Sequence, residues 1–89
     1  MTKLEKKLQE LGYKSITKLG CFTTVYAKYN ATHPPIIIKV SYLVRFKIED
    51  YYVDDNREIR TQQGVDNLQL ALDVMQKDLE VLKEYEEKI

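Results

Sequence analysis

The sequence has no tryptophan, one cysteine, one histidine, two prolines and three glycines among its 89 residues. Each shortage excludes something. Cys21 is alone and forms no internal disulfide, so a reducing compartment fits and a stapled secreted scaffold does not. A zinc site needs several cysteines and histidines at set spacing, which Cys21 and His33 do not supply. Nor does anything nearby support the two as nucleophile and base. Beside two prolines, His33 reads as a loop residue, and Cys21 as a small buried hydrophobe. Gly12, Gly20 and Gly64 are isolated, so no phosphate-cradling loop exists. Ser15 and Ser41 sit in no nucleophile elbow. Together these absences argue against an enzyme, and no catalytic, metal-ligating or cofactor-binding residue is expected.

Long apolar runs are missing too. None approaches the length needed to span a bilayer. The first stretch, "MTKLEKKLQELGYK", is charged throughout and lacks the apolar core of a signal peptide. The expected location is the cytoplasm, with no membrane partner. There the sequon Asn30-Ala31-Thr32 carries no meaning.

What is present is the composition of one ordinary globular domain, residues 1–89, with 44% apolar and 31% charged residues. A chain this short buries a modest share of its surface, so its stability is thin. Net charge is zero, but residues 1–47 carry nine Lys/Arg against Glu5 and Glu10, a net of +7. Residues 48–89 carry five Lys/Arg against twelve Asp/Glu, a net of −7. Such halves are expected to attract within the fold, or to attract a partner or another copy.

"TKLE" at Thr2–Glu5 has the spacing of a capping box. Leu4, Leu8 and Leu11 then share a helix face, and Gly12 is placed as the stop. Lys14–Tyr29 reads as strand, with a turn or bulge at Gly20, and Asn30–Pro35 reads as loop. From Ile36 to Ile48, one alternating phase is wholly apolar, Ile36, Ile38, Val40, Tyr42, Val44, Phe46 and Ile48. The other, from Ile37 to Lys47, is mostly polar, which predicts one buried and one wet sheet face. Thirteen residues are long for one strand, so a bulge or turn is expected near Ser41–Arg45. Asp54–Asn56 reads as a turn between Tyr51–Val53 and Glu58–Arg60.

Thr61 is a natural N-cap for a last helix running to about Lys88. Val65, Leu68, Leu72, Met75, Leu79 and Leu82 form a heptad seam expected to lie on the sheet, widened by Ala71 and Tyr85. Leu70, Val74 and Val81 fall off that seam and need another partner: the first helix, a second copy or a foreign protein. Asp66, Asp73, Glu80 and Glu87 recur every seven residues as an acidic stripe with steps of roughly 10 Å. The simplest view of that stripe is a solvated face supported by Asp73–Lys77 and Glu84–Lys88 pairs; the other is a contact with a basic groove. Lys39, Arg45, Lys47 and Arg57, with Tyr51 nearby, are candidate ligands for a nucleotide-like phosphate compound. Zero net charge disfavours general nucleic-acid binding.

The stretches "LEKKLQELGYK", "IEDYYV" and "DNLQLALDVMQKDLEVLKEYE", about half the chain, resemble small uncharacterised proteins of bacteriophages and prophages of Gram-positive hosts. The middle, Ser15 to Phe46, carries none of this resemblance. It implies no catalytic residues. By analogy it implies a setting, in which short phage proteins bind and block a host component, as anti-CRISPR proteins do.

The expected fold is therefore α+β: a short N-terminal helix, an antiparallel three- to four-stranded sheet, and a long C-terminal helix across one face. The expected function is a non-enzymatic, homo-oligomeric binding protein that blocks a host defence protein or complex. Its interface would comprise Leu70, Val74, Val81, Asp66, Asp73 and Glu80. The alternatives are a protein that traps a nucleotide immune signal and a small DNA-binding regulator.

Overall fold

Thr2 opens the first helix, α1 (Lys3–Glu10), through the expected capping box. The Glu5 amide donates to Thr2 Oγ1 at 3.2 Å, and the Thr2 amide donates to Glu5 Oε1 at 3.1 Å. The helix ends as its sequence predicts. Gly12 takes φ +95°, the Tyr13 amide reaches back to the Leu8 carbonyl, and the Gly12 amide to that of Gln9. This double closure satisfies two terminal carbonyls and needs a residue without a Cβ at Gly12. It also sends Tyr13 inward beside Leu8.

The computed structural model describes residues 2–55 and 61–87. After α1 come β1 (Lys14–Leu19), β2 (Thr23–Lys28), β3 (Ile36–Ser41), β4 (Lys47–Val53) and α2 (Gln62–Lys83). The strands form one antiparallel meander in the order β1-β2-β3-β4, so β1 and β4 are its edges. Gly20, at φ +69°, makes the β1–β2 turn. The long alternating run is indeed broken: the chain reverses between Ser41 and Lys47. The bulges fall elsewhere, at Ile16 in β1 and Glu49 in β4. Of the expected second turn and the stretch beyond it, Asn56–Arg60 lie outside the described residues.

Both helices lie on one face of the sheet. Leu4 and Leu8 of α1, Tyr13, Tyr26, Ile36, Ile38, Val40, and Leu79 and Leu82 of α2 form the main core. The second face is less wet than alternation predicts. Val25, Ala27 and Ile37 form a second small buried cluster there. By register, Ile37 sits between Ala27 and Tyr52, and Val25 between Thr17 and Lys39. Long neighbouring side chains shield what the period-2 pattern assigns to water.

Thr61 caps α2, its Oγ1 accepting from the Gly64 amide at 3.0 Å. The helix stops at Lys83 rather than near Lys88, because the following glutamates are used elsewhere, as described below. Its rotation also differs from the heptad prediction. Ala71, Asp78, Leu79 and Leu82 are buried, Met75 and Tyr85 pack at the core margin, and Leu72 and Val65 are exposed. Asp78 is buried on this side of the helix, accepting from the Tyr13 hydroxyl at 2.8 Å and from Lys28 Nζ at 2.9 Å. Val74, on the same side, packs against the core, so it is not a surplus outer residue.

Candidate interaction surfaces

Three regions of α2 and the sheet present side chains that the fold does not consume. The first is the outer face of α2. Asp66, Asp73 and Glu80 are all exposed along it. Asp66 accepts from Gln62 and Asp73 from Gln69, each at 2.9 Å, one helical turn back. The Asp73–Lys77 pair suggested by spacing is not among the described ion pairs, which are Lys7–Glu10, Lys28–Asp78 and Lys39–Asp50. Only the last two join the basic and acidic halves of the sequence. Beside the carboxylates stand Leu70 (43% exposed) and Val81 (36%).

The second region is a groove of about 420 Å³ between α2 and β4. Tyr51, Leu72, Met75 and Leu79 give it an apolar floor, with Gln76, Glu80 and Lys83 at the rim. A helix advances about 100° per residue. Leu72 and Leu70 thus point to opposite flanks of α2: Leu72 towards β4, Leu70 away from it.

The third region is the end of the sheet where the β1–β2 turn meets the β3–β4 loop. Phe22, Tyr42 and Phe46 form a short ladder there, with ring centroids 5.7 Å and 5.2 Å apart. Phe46 reaches the core. Beyond it the loop holds Leu43 (64% exposed) and Val44 (81%) out to solvent, with Leu19 also exposed. Contiguous apolar exposure of this kind marks a contact site more often than chance exposure does. Cys21, expected to be buried, is exposed in the adjacent turn, because Gly20 carries the chain outward there. His33, by contrast, is buried in its loop, with Nδ1 2.7 Å from the Pro34 carbonyl.

The open edge at β4 is closed by carboxylates. Glu86 Oε2 accepts from the Ile48 amide at 2.8 Å, and Glu87 Oε2 from the Phe46 amide at 3.3 Å. The Glu87 amide in turn donates to the Phe46 carbonyl at 2.9 Å. Asp50 Oδ1 accepts from the Tyr51 amide at 2.8 Å, and the Asp55 amide donates to the Val53 carbonyl. So Glu87 serves the strand edge and not the acidic stripe. β1 relies on other devices against strand pairing, Lys14, Lys18 and the bulge at Ile16.

The proposed phosphate site does not assemble in the same way. Lys39 lies on the sheet face away from the helices, 3.9 Å from Asp50 and over the Tyr52 ring. Arg45 and Lys47 line a separate groove of about 350 Å³ with Ser41, Leu43, Val44 and Glu49. Tyr51 faces α2 on the other side of β4. Arg57 lies outside the described residues. The bulge at Glu49 shifts the alternation of β4 by one residue, so Tyr51 joins Ile48 on the helix side while Lys47 points to the other face.

Sequence reasoning missed two features. A break near Ser41–Arg45 was expected, but not the exposure of Leu43 and Val44 at its tip, since Val44 belongs to the apolar phase of the run. The buried Tyr13–Asp78–Lys28 triad joins residues 65 positions apart and has no local signature. Burial, then the Asp78 carboxylate, push the Tyr13 hydroxyl well above its ordinary pKa. Burial and then Glu5 raise that of Tyr26. Both effects are structural in origin. Among the described residues, no three His, Cys, Asp or Glu side chains gather as a metal site, and no helix is long and apolar enough to cross a membrane. The chain matches no protein-family model, no curated protein and no solved structure.

Proposed function

We propose that the chain is a non-enzymatic binding protein that occupies a basic surface on a host protein. In the phage setting its sequence resemblance implies, the effect is to block a component of host defence. The supporting observation is the outer face of α2, where Asp66, Asp73 and Glu80 stand exposed beside Leu70 and Val81 with no described cation paired to them. Unneutralised carboxylates next to exposed aliphatic groups suit a partner that offers Lys or Arg around an apolar patch. Charge of this kind speeds encounter, and the aliphatic groups lengthen the contact once made. The nucleotide-trapping reading has less support, because Tyr51 and Lys39 occupy opposite faces of the sheet.

The test is phage plating on bacteria with an active defence system, with and without the chain expressed. Wild type is expected to restore plating. The triple variant Asp66→Lys, Asp73→Lys, Glu80→Lys is expected to lose that effect while melting at the wild-type temperature. Full activity in the triple variant, or no restoration by wild type in any defence system tried, would refute the reading.

A further inference from the structure

The edge of β4 is covered by a segment that is neither strand nor regular helix. Residues 84–87 follow the last turn of α2 and meet the edge at Phe46 and Ile48. Glu87 serves Phe46 twice, its amide donating to the Phe46 carbonyl and its Oε2 accepting from the Phe46 amide. Glu86 Oε2 takes the Ile48 amide. With one amide and two carboxylates, the segment copies what an added antiparallel strand does with its main chain alone. Its hold is light. The bond to the Phe46 amide is 3.3 Å long and exposed, and Glu87 itself is exposed. Contacts open to water release far more readily than the sheet behind them.

Beside the edge stand two cations that the segment leaves unused. Arg45 and Lys47 flank Phe46 in the chain, and neither enters the described ion pairs. Glu49 shares their groove, one acid against two cations, and its Oε2 accepts from Thr23 Oγ1 at 2.9 Å.

We propose that residues 84–87 are a releasable strap over a strand-addition site, and that the site takes an extended acidic segment of a foreign protein. The incoming segment pairs its main chain with Phe46 and Ile48 and sets carboxylates next to Arg45 and Lys47. It gains what the strap does not make. The strap contributes one main-chain bond to Phe46 and none to the cations, whereas an added strand bonds along the edge and places acids across from Lys47. The strap also displays the chemistry that the edge accepts, being acidic at Glu84, Glu86 and Glu87. Asp66 and Asp73 lie about three to five helical turns earlier on α2 and take no part.

Fluorescence anisotropy of the whole chain with a labelled Glu-Val-Glu-Val-Glu peptide tests this, a Lys-Val-Lys-Val-Lys peptide serving as control. Glu86→Ala with Glu87→Ala removes both carboxylates from the edge. This opened chain is expected to bind the acidic peptide at least tenfold more tightly than wild type. Adding Arg45→Glu and Lys47→Glu is expected to abolish that gain, and the basic peptide is expected not to bind. Hydrogen exchange at the Phe46 and Ile48 amides is expected to slow when peptide is added to the opened chain, which charge attraction alone does not cause. Circular dichroism and sedimentation check each variant. Should the double change lose structure, Glu87→Ala alone, which keeps the Glu86 bond, gives the same comparison. Asp66→Lys with Asp73→Lys is expected to leave peptide binding unchanged, so this inference and the proposed function fail separately. Equal affinity of wild type and opened chain, equal binding of both peptides, or no slowing at those two amides overturns the inference. Self-association of the opened chain without peptide overturns it too, by assigning the edge to a second copy.

Discussion

The two halves of α2 are one continuous helix with different employment. Residues 74–82 supply Val74, Met75, Asp78, Leu79 and Leu82 to the core and its buried polar triad. Residues 62–72 bury only Ala71, while Val65, Leu70 and Leu72 remain exposed. Length is the cause. Twenty-two helical residues span about 33 Å, whereas the six or seven residues of each strand span roughly 20 Å. One half therefore holds the fold and the other is free to present side chains, and mutations should tell the two apart.

The largest difference is expected at Leu82, which is fully buried. Leu82→Ala should cost about 2–5 kcal/mol, measured by urea unfolding, since it removes apolar burial and leaves a cavity. Asp78→Ala should cost about 1–3 kcal/mol, because the Tyr13 hydroxyl then has no acceptor in the core. The same triad predicts an alkaline limit. Tyr13 ionises near pH 10 in the unfolded chain and higher in the folded one. Above about pH 10 the unfolded state binds fewer protons, so stability falls as pH rises. Tyr26 adds to the fall with the same sign. Tyr13→Phe should flatten the pH profile of the melting temperature at its alkaline end. At the other extreme, Leu70→Ala should change stability by less than about 0.5 kcal/mol, as surface substitutions do. If Leu70→Ala costs as much as Leu82→Ala, the division of the helix is wrong.

How much of this was legible depends on distance along the chain. The capping box, the Gly12 stop, the Gly20 turn, the break after Ser41 and the Thr61 cap are all set by residues within a few positions of one another. Each was readable, and together they fix the α+β order. The rotation of α2 was not, because its buried side carries Asp78, which meets Tyr13 and Lys28, residues 65 and 50 positions away. Val74 lies on the same side of the helix as that contact and packs against the core, which removes it from the candidate interface. The phosphate site failed for a different reason. Lys39, Lys47 and Tyr51 share one phase of the alternating sequence, but the bulge at Glu49 moves Tyr51 to the opposite face from the two lysines. The turn itself was legible, but the exposure of its tip was not, since Tyr42 and Val44 belong to the phase that reads as buried.

The carboxylates that close β4 arrive late. Glu86 and Glu87 are synthesised about forty residues after the amides they bond, whereas the four strands are contiguous in sequence and pair with their immediate neighbours. Sheet formation can run ahead of the docking of α2 on this topology, because short loops close sooner than long ones. During that interval β4 is a bare edge carrying Tyr51, Tyr52 and Val53, open to any other nascent strand. Protection from misassembly is therefore a property that the molecule acquires only on completing its tertiary structure, and the time taken to dock α2 sets how long each new chain is at risk.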